Sequence, residues 1–252
     1  MPGRFAIGAQ PDQVGREFGA RPAYMFRPSY NIFPGRRIPA IAILNGEKVM
    51  EAFTWGISPI WESDSEQRPR RLNEGGKAAF QPLINARSET IEAKRAFREA
   101  FLQRRCLIPV SGYYEWKEER WREGDKSRLR SRSGKSPFYI TLKERPLFAF
   151  AGIWTSGKDF DGKPSMELAT ITTEPNELVA KIHHRMPAIL PKSMEAEWLD
   201  PLSKPSQLKA MLKPYPAEKM QAHEVSKLVG NPKNQGPELI KPAKHHLTDF
   251  LK

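Results

Sequence analysis

Three short stretches carry side chains whose types and spacing suit proton transfer beside a phosphate. In "LINARSET" (83–90) residues two apart share one face of an extended chain, so Asn85, Arg87 and Glu89 project together. A guanidinium suits phosphate, and a neutral amide can orient a carbonyl or hydroxyl through both donor and acceptor. The same spacing also suits a plain Arg87–Glu89 surface pair. In "SGYYEWKEE" (111–119) Glu115 lies inside an aromatic strand, between Tyr114 and Trp116. Partial desolvation there would raise its pKa toward the range useful for general acid and base catalysis. A solvent-facing position on an edge strand would instead leave it an ordinary glutamate paired with a lysine. Trp116, on the opposite face, is either core or a platform for a stacked base. In "TTEPNELVAKIHHRMPAIL" (172–190) a helix from near Pro175 to around His184 would place His183 and Arg185 at a helix-to-strand corner, held by two elements.

The elements that must position these groups are mostly strands. Runs rich in β-branched and aromatic residues begin at 38 ("IPAIAIL"), 48 ("KVMEAFTWGI"), 105 ("RCLIPVSGYYEWK"), 137 ("PFYITLK"), 147 ("LFAFAGIW"), 167 ("ELATITT") and 186 ("MPAIL"). Helical patterns are fewer. "ETIEAKRAFREAFLQR" sets Ala93, Phe97, Ala100 and Phe101 on one face, and "NELVAKIH" and "SMEAEWL" are short. The 23 prolines are spread along the chain, which favours many short elements joined by turns over a helical bundle. The expected fold is a β-dominated α+β single domain over 1–252, with mixed strands and short peripheral helices. Its amino terminus, "MPGRF", is by default a frayed end. The segment 117–135 is low in apolar residues and reads as a charged loop insertion. It is either a solvated hairpin loop or an arm touching phosphate, with Arg128, Arg130 and Arg132 at alternate positions.

Composition narrows the function classes. No apolar run approaches the length of a membrane span, and the first thirty residues lack a secretory pattern, so a cytoplasmic location without membrane contact is expected. The single cysteine, Cys106, excludes an internal disulfide, and the histidines show no metal-ligand spacing, so neither metal nor cofactor is expected. The net charge of +12 fits either a polyanionic partner, nucleic acid above all, or a solubilising surface. With no heptad or exposed apolar stripe evident, a monomer is expected.

The motifs together resemble the SOS response-associated peptidase (SRAP) family, also called abasic-site processing proteins. The resemblance runs along nearly the whole chain. It rests on the start "M-x-GRF", "YNIFPG" at 30, "WGISPIW" at 55, "INARSET" at 84, "RRCLIPVSGYYEW" at 104, "FAGIW" at 150, "TITT" at 170, "IHHRMPAIL" at 182 and "VSKLVGNPKNQGPELI" at 225. It implies a β-rich domain with a basic groove for single-stranded DNA. Abasic sites would be captured there by the residue behind the initiator methionine, in a DNA damage response. By motif position it implies catalytic roles for Pro2, Asn85, Glu115 and His183. Asn85 would orient the opened sugar, Glu115 would act as general acid and base, and His183 would handle protons in ring opening and reversal. Arg4, Arg87 and Arg95 would hold phosphates, Gly3 would allow close backbone approach, and Trp116, Thr172, Met186 and Pro187 would shape the DNA groove. The peptidase label refers to self-removal of the initiator methionine.

Pro2 departs from the family, which normally has cysteine there. Without a thiol no thiazolidine can close, and Cys106, in a strand run, is no substitute. A freed Pro2 would still present a secondary amine able to condense with an aldehyde to an iminium, giving abasic-site lyase chemistry. The alternatives are a non-covalent single-stranded DNA-binding module of the same fold, and an unrelated enzyme using Glu115 and His183 on a small molecule.

Overall fold

The computed structural model describes residues 2–58, 82–118, 134–158 and 164–243. Its first strand, β1 (Arg4–Ile7), is buried on both faces, so the expected frayed end is replaced by an anchored one. Phe5 and Ile7 enter the main core and Ala6 a smaller second core. Burying Phe5 alone contributes about 2 kcal/mol, enough to hold a terminal segment in place.

After β1, α1 (Pro11–Phe18) begins with proline at its first position, the Gln13 side chain accepting from the Gln10 N–H, and ends at Gly19 in the left-handed conformation. The chain continues through β2 (Arg21–Pro22), β3 (Ser29–Ile32), β4 (Arg37–Leu44) and β5 (Glu47–Trp55). Asn45 and Gly46, both at positive φ, make the tight turn between β4 and β5. Then come β6 (Asn85–Arg87), α2 (Arg95–Gln103), β7 (Arg105–Val110), β8 (Gly112–Glu118), β9 (Lys135–Leu142), β10 (Phe148–Lys158) and β11 (Pro164–Thr173). The last elements are β12 (Met186–Pro187), β13 (Ile189–Leu190), α3 (Glu195–Leu199), α4 (Pro205–Met211) and β14 (Met220–Glu224). The result is the expected β-dominated α+β fold, with short helices at the edges.

Two sheets form. One runs β14-β9-β8-β1-β3, the other β12-β11-β10-β7-β4-β5-β2. A parallel pairing of β5 with β11 closes β5, β4, β7, β10 and β11 into a ring, and β6 adds in parallel to β11. The run from 105, expected as one strand, divides at Ser111. There Ser111 N–H donates to Ala6 O (2.7 Å) and its hydroxyl accepts from Gly8 N–H (2.9 Å), so the chain turns from one sheet into the other. Gly112 follows because a Cβ there would lie 2.4 Å from the Tyr139 ring.

Two helix expectations are corrected. "NELVAKIH" forms only a 3-10 turn, Val179–Lys181, whose start the Asn176 side chain caps, accepting from Val179 N–H while it donates to Tyr215 O. Ala93 lies ahead of α2 in a turn and is exposed, while Phe97, Ala100 and Phe101 are buried as expected. Most of the charged loop, 119–133, lies outside the described residues. No helix among the described residues is long and apolar enough to cross a membrane.

Candidate active site at the amino terminus

The pairing of β1 with β8 builds the site. Arg4 sits opposite Tyr114, and Glu115 follows one residue on, at the amino-terminal end of β1. Glu115 is only 3% exposed, so the alternative of a solvent-facing glutamate paired with lysine does not hold. Burial pushes its carboxyl up to about 7, against the pull of the amino-terminal positive charge. Such a group is present in both protonation states at neutral pH and can give a proton in one step and take one in another.

His183 meets Glu115 from the far side, with Nε2 4.0 Å from Oε2. Burial lowers its pKa to about 4, helped by the positive amino terminus, so the imidazole is neutral at pH 7. Its Nδ1 lies 3.1 Å from the Arg185 N–H and 3.2 Å from the Arg185 carbonyl. Nδ1 therefore finds a donor when it is bare and an acceptor when it carries hydrogen. Either tautomer is satisfied in place, and Nε2 can release or accept a proton without the ring moving. His184 stacks on His183 at 4.3 Å between ring centroids.

Asn85 enters from the other sheet. β6 pairs with β11 so that Asn85, Ala86 and Arg87 lie beside Thr170, Ile171 and Thr172. Asn85 Nδ2 donates to the Pro2 carbonyl at 3.3 Å, while its buried Oδ1 has no hydrogen-bond partner among the described residues. A buried amide oxygen without a partner is a place for a ligand hydroxyl or a water. Pro2, Asn85, Glu115 and His183 are thus gathered around the chain's start from the residues ahead of β1, from β6 and β8, and from the turn before β12.

The residues expected to face DNA differ in exposure. Arg87 and Arg95 are exposed, Arg95 opening α2. Trp116 and Gly3 are half-buried. Thr172, Met186 and Pro187 are buried, and Thr172 Oγ1 is bonded to Ala86 O and Arg185, so these three form a floor beneath the surface. The Arg4 guanidinium donates to Asn31 Oδ1 (2.8 Å), Val229 O (2.7 Å) and Gly230 O (3.2 Å), so that among the described residues two of its five N–H groups are left for another partner. It also lies over Phe33 (5.9 Å) and Trp116 (6.0 Å).

Glu89 does not pair with Arg87. Its carboxylate holds Arg185 through two hydrogen bonds of 2.8 and 2.9 Å, and Arg185 reaches on to Thr172 O at 2.8 Å. The hydrogen bonds from Arg185, opposed by burial, keep the Glu89 pKa below the ordinary carboxylate range. This brace fixes the backbone that serves His183. Sequence reasoning placed Arg185 at the corner but not its partner, which is 96 residues away. Among the described residues no group of three or more His, Cys, Asp or Glu could hold a metal ion.

Comparison with known proteins gives a consistent relationship. The family model described as SOS response associated peptidase (SRAP) matches residues 1–232. The abasic site processing protein YoqW of Bacillus subtilis is 37% identical over 244 residues, 95% of this chain and 99% of its own. The Escherichia coli protein named abasic site processing protein YedK is 29% identical over 217 residues, 84% of each chain. The crystal structure of a protein from Bacteroides thetaiotaomicron superimposes with a TM-score of 0.76 at 28% identity, covering 95% of this chain and 99% of that one.

Proposed function

The chain belongs to the SOS response associated peptidase family, and from that premise we propose that it processes abasic sites in single-stranded DNA, with its amino-terminal residue as the nucleophile. The observation that carries this reading is the buried Glu115, with its carboxyl pushed up to about 7, set 4.0 Å from His183 at the chain's own start. Hydrolysis of the Met1–Pro2 bond frees the secondary amine of Pro2. Opening the closed hemiacetal breaks C1′–O4′, with a proton delivered to O4′ and one removed from the C1′ hydroxyl. Glu115 and His183 are the groups for this exchange, and Asn85 is the group to orient the opened sugar.

The Pro2 nitrogen then adds to C1′, and loss of water, assisted by protonated Glu115, leaves an iminium. The iminium acidifies C2′–H. Removal of that proton expels the 3′ phosphate with the C3′–O bonding pair, and water later hydrolyses the iminium to return the amine. Arg87, Arg95 and the two remaining N–H groups of Arg4 supply positive charge for the strand's phosphates.

One observation favours a second reading, non-covalent binding of single-stranded DNA. Pro2 has no thiol, and Cys106 is fully buried with its own thiol pKa pushed up by burial. Borohydride trapping on an oligonucleotide with one abasic site separates the two. The expected result is a reduced adduct that intact mass spectrometry assigns to Pro2. Salt-sensitive binding without adduct or strand cleavage at any pH supports the second reading, and absence of both binding and adduct overturns the proposal.

A further inference from the structure

A cleft of about 710 Å³ lies beside the candidate site, lined among others by Tyr24, Phe26, Arg27, Arg36 and Arg37. No acidic residue lines it, and none of the three arginines makes an ion pair among the described residues. Arg27, Arg36 and Arg37 are all exposed. Like charges gathered without a carboxylate between them are attractive to a polyanion.

The cleft also carries flat apolar faces. The Tyr24 and Phe26 rings stack with 6.2 Å between centroids and 23° between planes, and the Arg37 guanidinium lies 5.9 Å from the Tyr24 ring. The segment is held against β5, because Ala23 N–H and Tyr24 N–H both donate to Met50 O. The cleft is continuous with the site. Phe33 lies between Arg4 (5.9 Å) and Arg36 (5.6 Å), and Asn31, on the cleft wall, accepts from Arg4.

The amides in the wall are already spent. Asn31 Nδ2 is shared among the Val229, Asn231 and Asn234 carbonyls, and Gln235 Nε2 donates to Asn31 O and Pro232 O while its Oε1 accepts from Ser29. What remains for a ligand is guanidinium charge and ring faces, which hold phosphates and stacked bases but do not read base edges. We infer that this cleft holds the single strand flanking the reacting nucleotide, independently of its sequence. The inference rests on the reading of the site as one for single-stranded DNA.

The test is fluorescence anisotropy with oligonucleotides of about 5 and about 20 nucleotides, each centred on a non-reactive abasic analogue, at several salt concentrations. With the long oligonucleotide, Arg36→Ala/Arg37→Ala is expected to reduce the slope of log affinity against log salt by about 1.4, two single-strand phosphate contacts at about 0.7 each. Binding of the short one should be unchanged. Tyr24→Ala/Phe26→Ala is expected to weaken the long complex with little change in slope. Unchanged affinity and slope for Arg36→Ala/Arg37→Ala on the long strand overturns the inference while leaving the proposed chemistry intact. If the unaltered protein binds neither oligonucleotide, the DNA reading of the whole site falls, and this inference with it.

Discussion

Replacing Glu115 by glutamine should expose a pH dependence of stability that the native pair conceals. The Glu115 pKa rises from 4.5 to about 7 on folding. The folded state therefore holds this proton more tightly, and stability is lost as pH rises from about 4.5 through about 7. The His183 pKa falls from 6.5 to about 4. The folded state therefore resists that proton, and stability is lost as pH falls from about 6.5 through about 4. Each change corresponds to about 3 kcal/mol over its range. Between pH 4.5 and 6.5 the two slopes are opposite, each about 1.4 kcal/mol per pH unit, and they nearly cancel. Urea melts at three pH values across that window and constant ionic strength would measure this. Relative to the unaltered protein, Glu115→Gln should gain a slope of about +1.4 kcal/mol per pH unit, stability rising with pH. His183→Gln should show the opposite change, and the double variant should return to the original profile. Titrations of distant carboxylates are common to all four proteins and drop out of the differences. Parallel profiles for the unaltered protein and Glu115→Gln would refute the reasoning, because Glu115 would then titrate alike in the folded and unfolded chains.

Further expectations concern bracing and nucleophile. Arg105 is buried and donates to the carbonyls of Phe101, Leu102, Trp198 and Asp200, tying the ends of α2 and α3 together. Arg105→Met should cost about 3 kcal/mol or more in a denaturant melt, and Arg105→Lys should recover only part of it, since a lysine head cannot span the same fork. Glu89→Gln loosens the brace behind His183. It should lower the rate of adduct formation by on the order of tenfold while leaving single-strand affinity nearly unchanged, as read by trapping kinetics beside anisotropy. Pro2→Cys supplies a thiol next to the freed amine, so an adduct that survives heating without borohydride is expected on electrophoresis, whereas the unaltered protein should need the reductant.

The strand content was readable because β-branched and aromatic runs bounded by proline, glycine and polar clusters leave little alternative. Glu115 was readable for a related reason. Its aromatic neighbours made an apolar setting one of two readings, and burial in the fold decided for it over the solvent-facing one. The helix expected from Pro175 is only a 3-10 turn, and Asn176, which caps its start, also donates to Tyr215, 39 residues further on, a partner that local spacing does not show. The split at Ser111 was hidden likewise, since its partners belong to β1 at the other end of the chain.

By itself the sequence determined the chemical types at the site: a carboxylate, an imidazole, an amide, guanidinium charge, and proline where a thiol would stand. Local rules reach that far, because alternation, turn chemistry and charge act over a few neighbouring residues. The tertiary structure decided which groups meet. β1 had to be buried on both faces to bring the chain's start to Glu115, β6 had to join β11 to bring Asn85 to Pro2, and Glu89 had to reach Arg185 to steady His183. Each of those meetings depends on strand register and long-range closure, which follow from how the whole core packs.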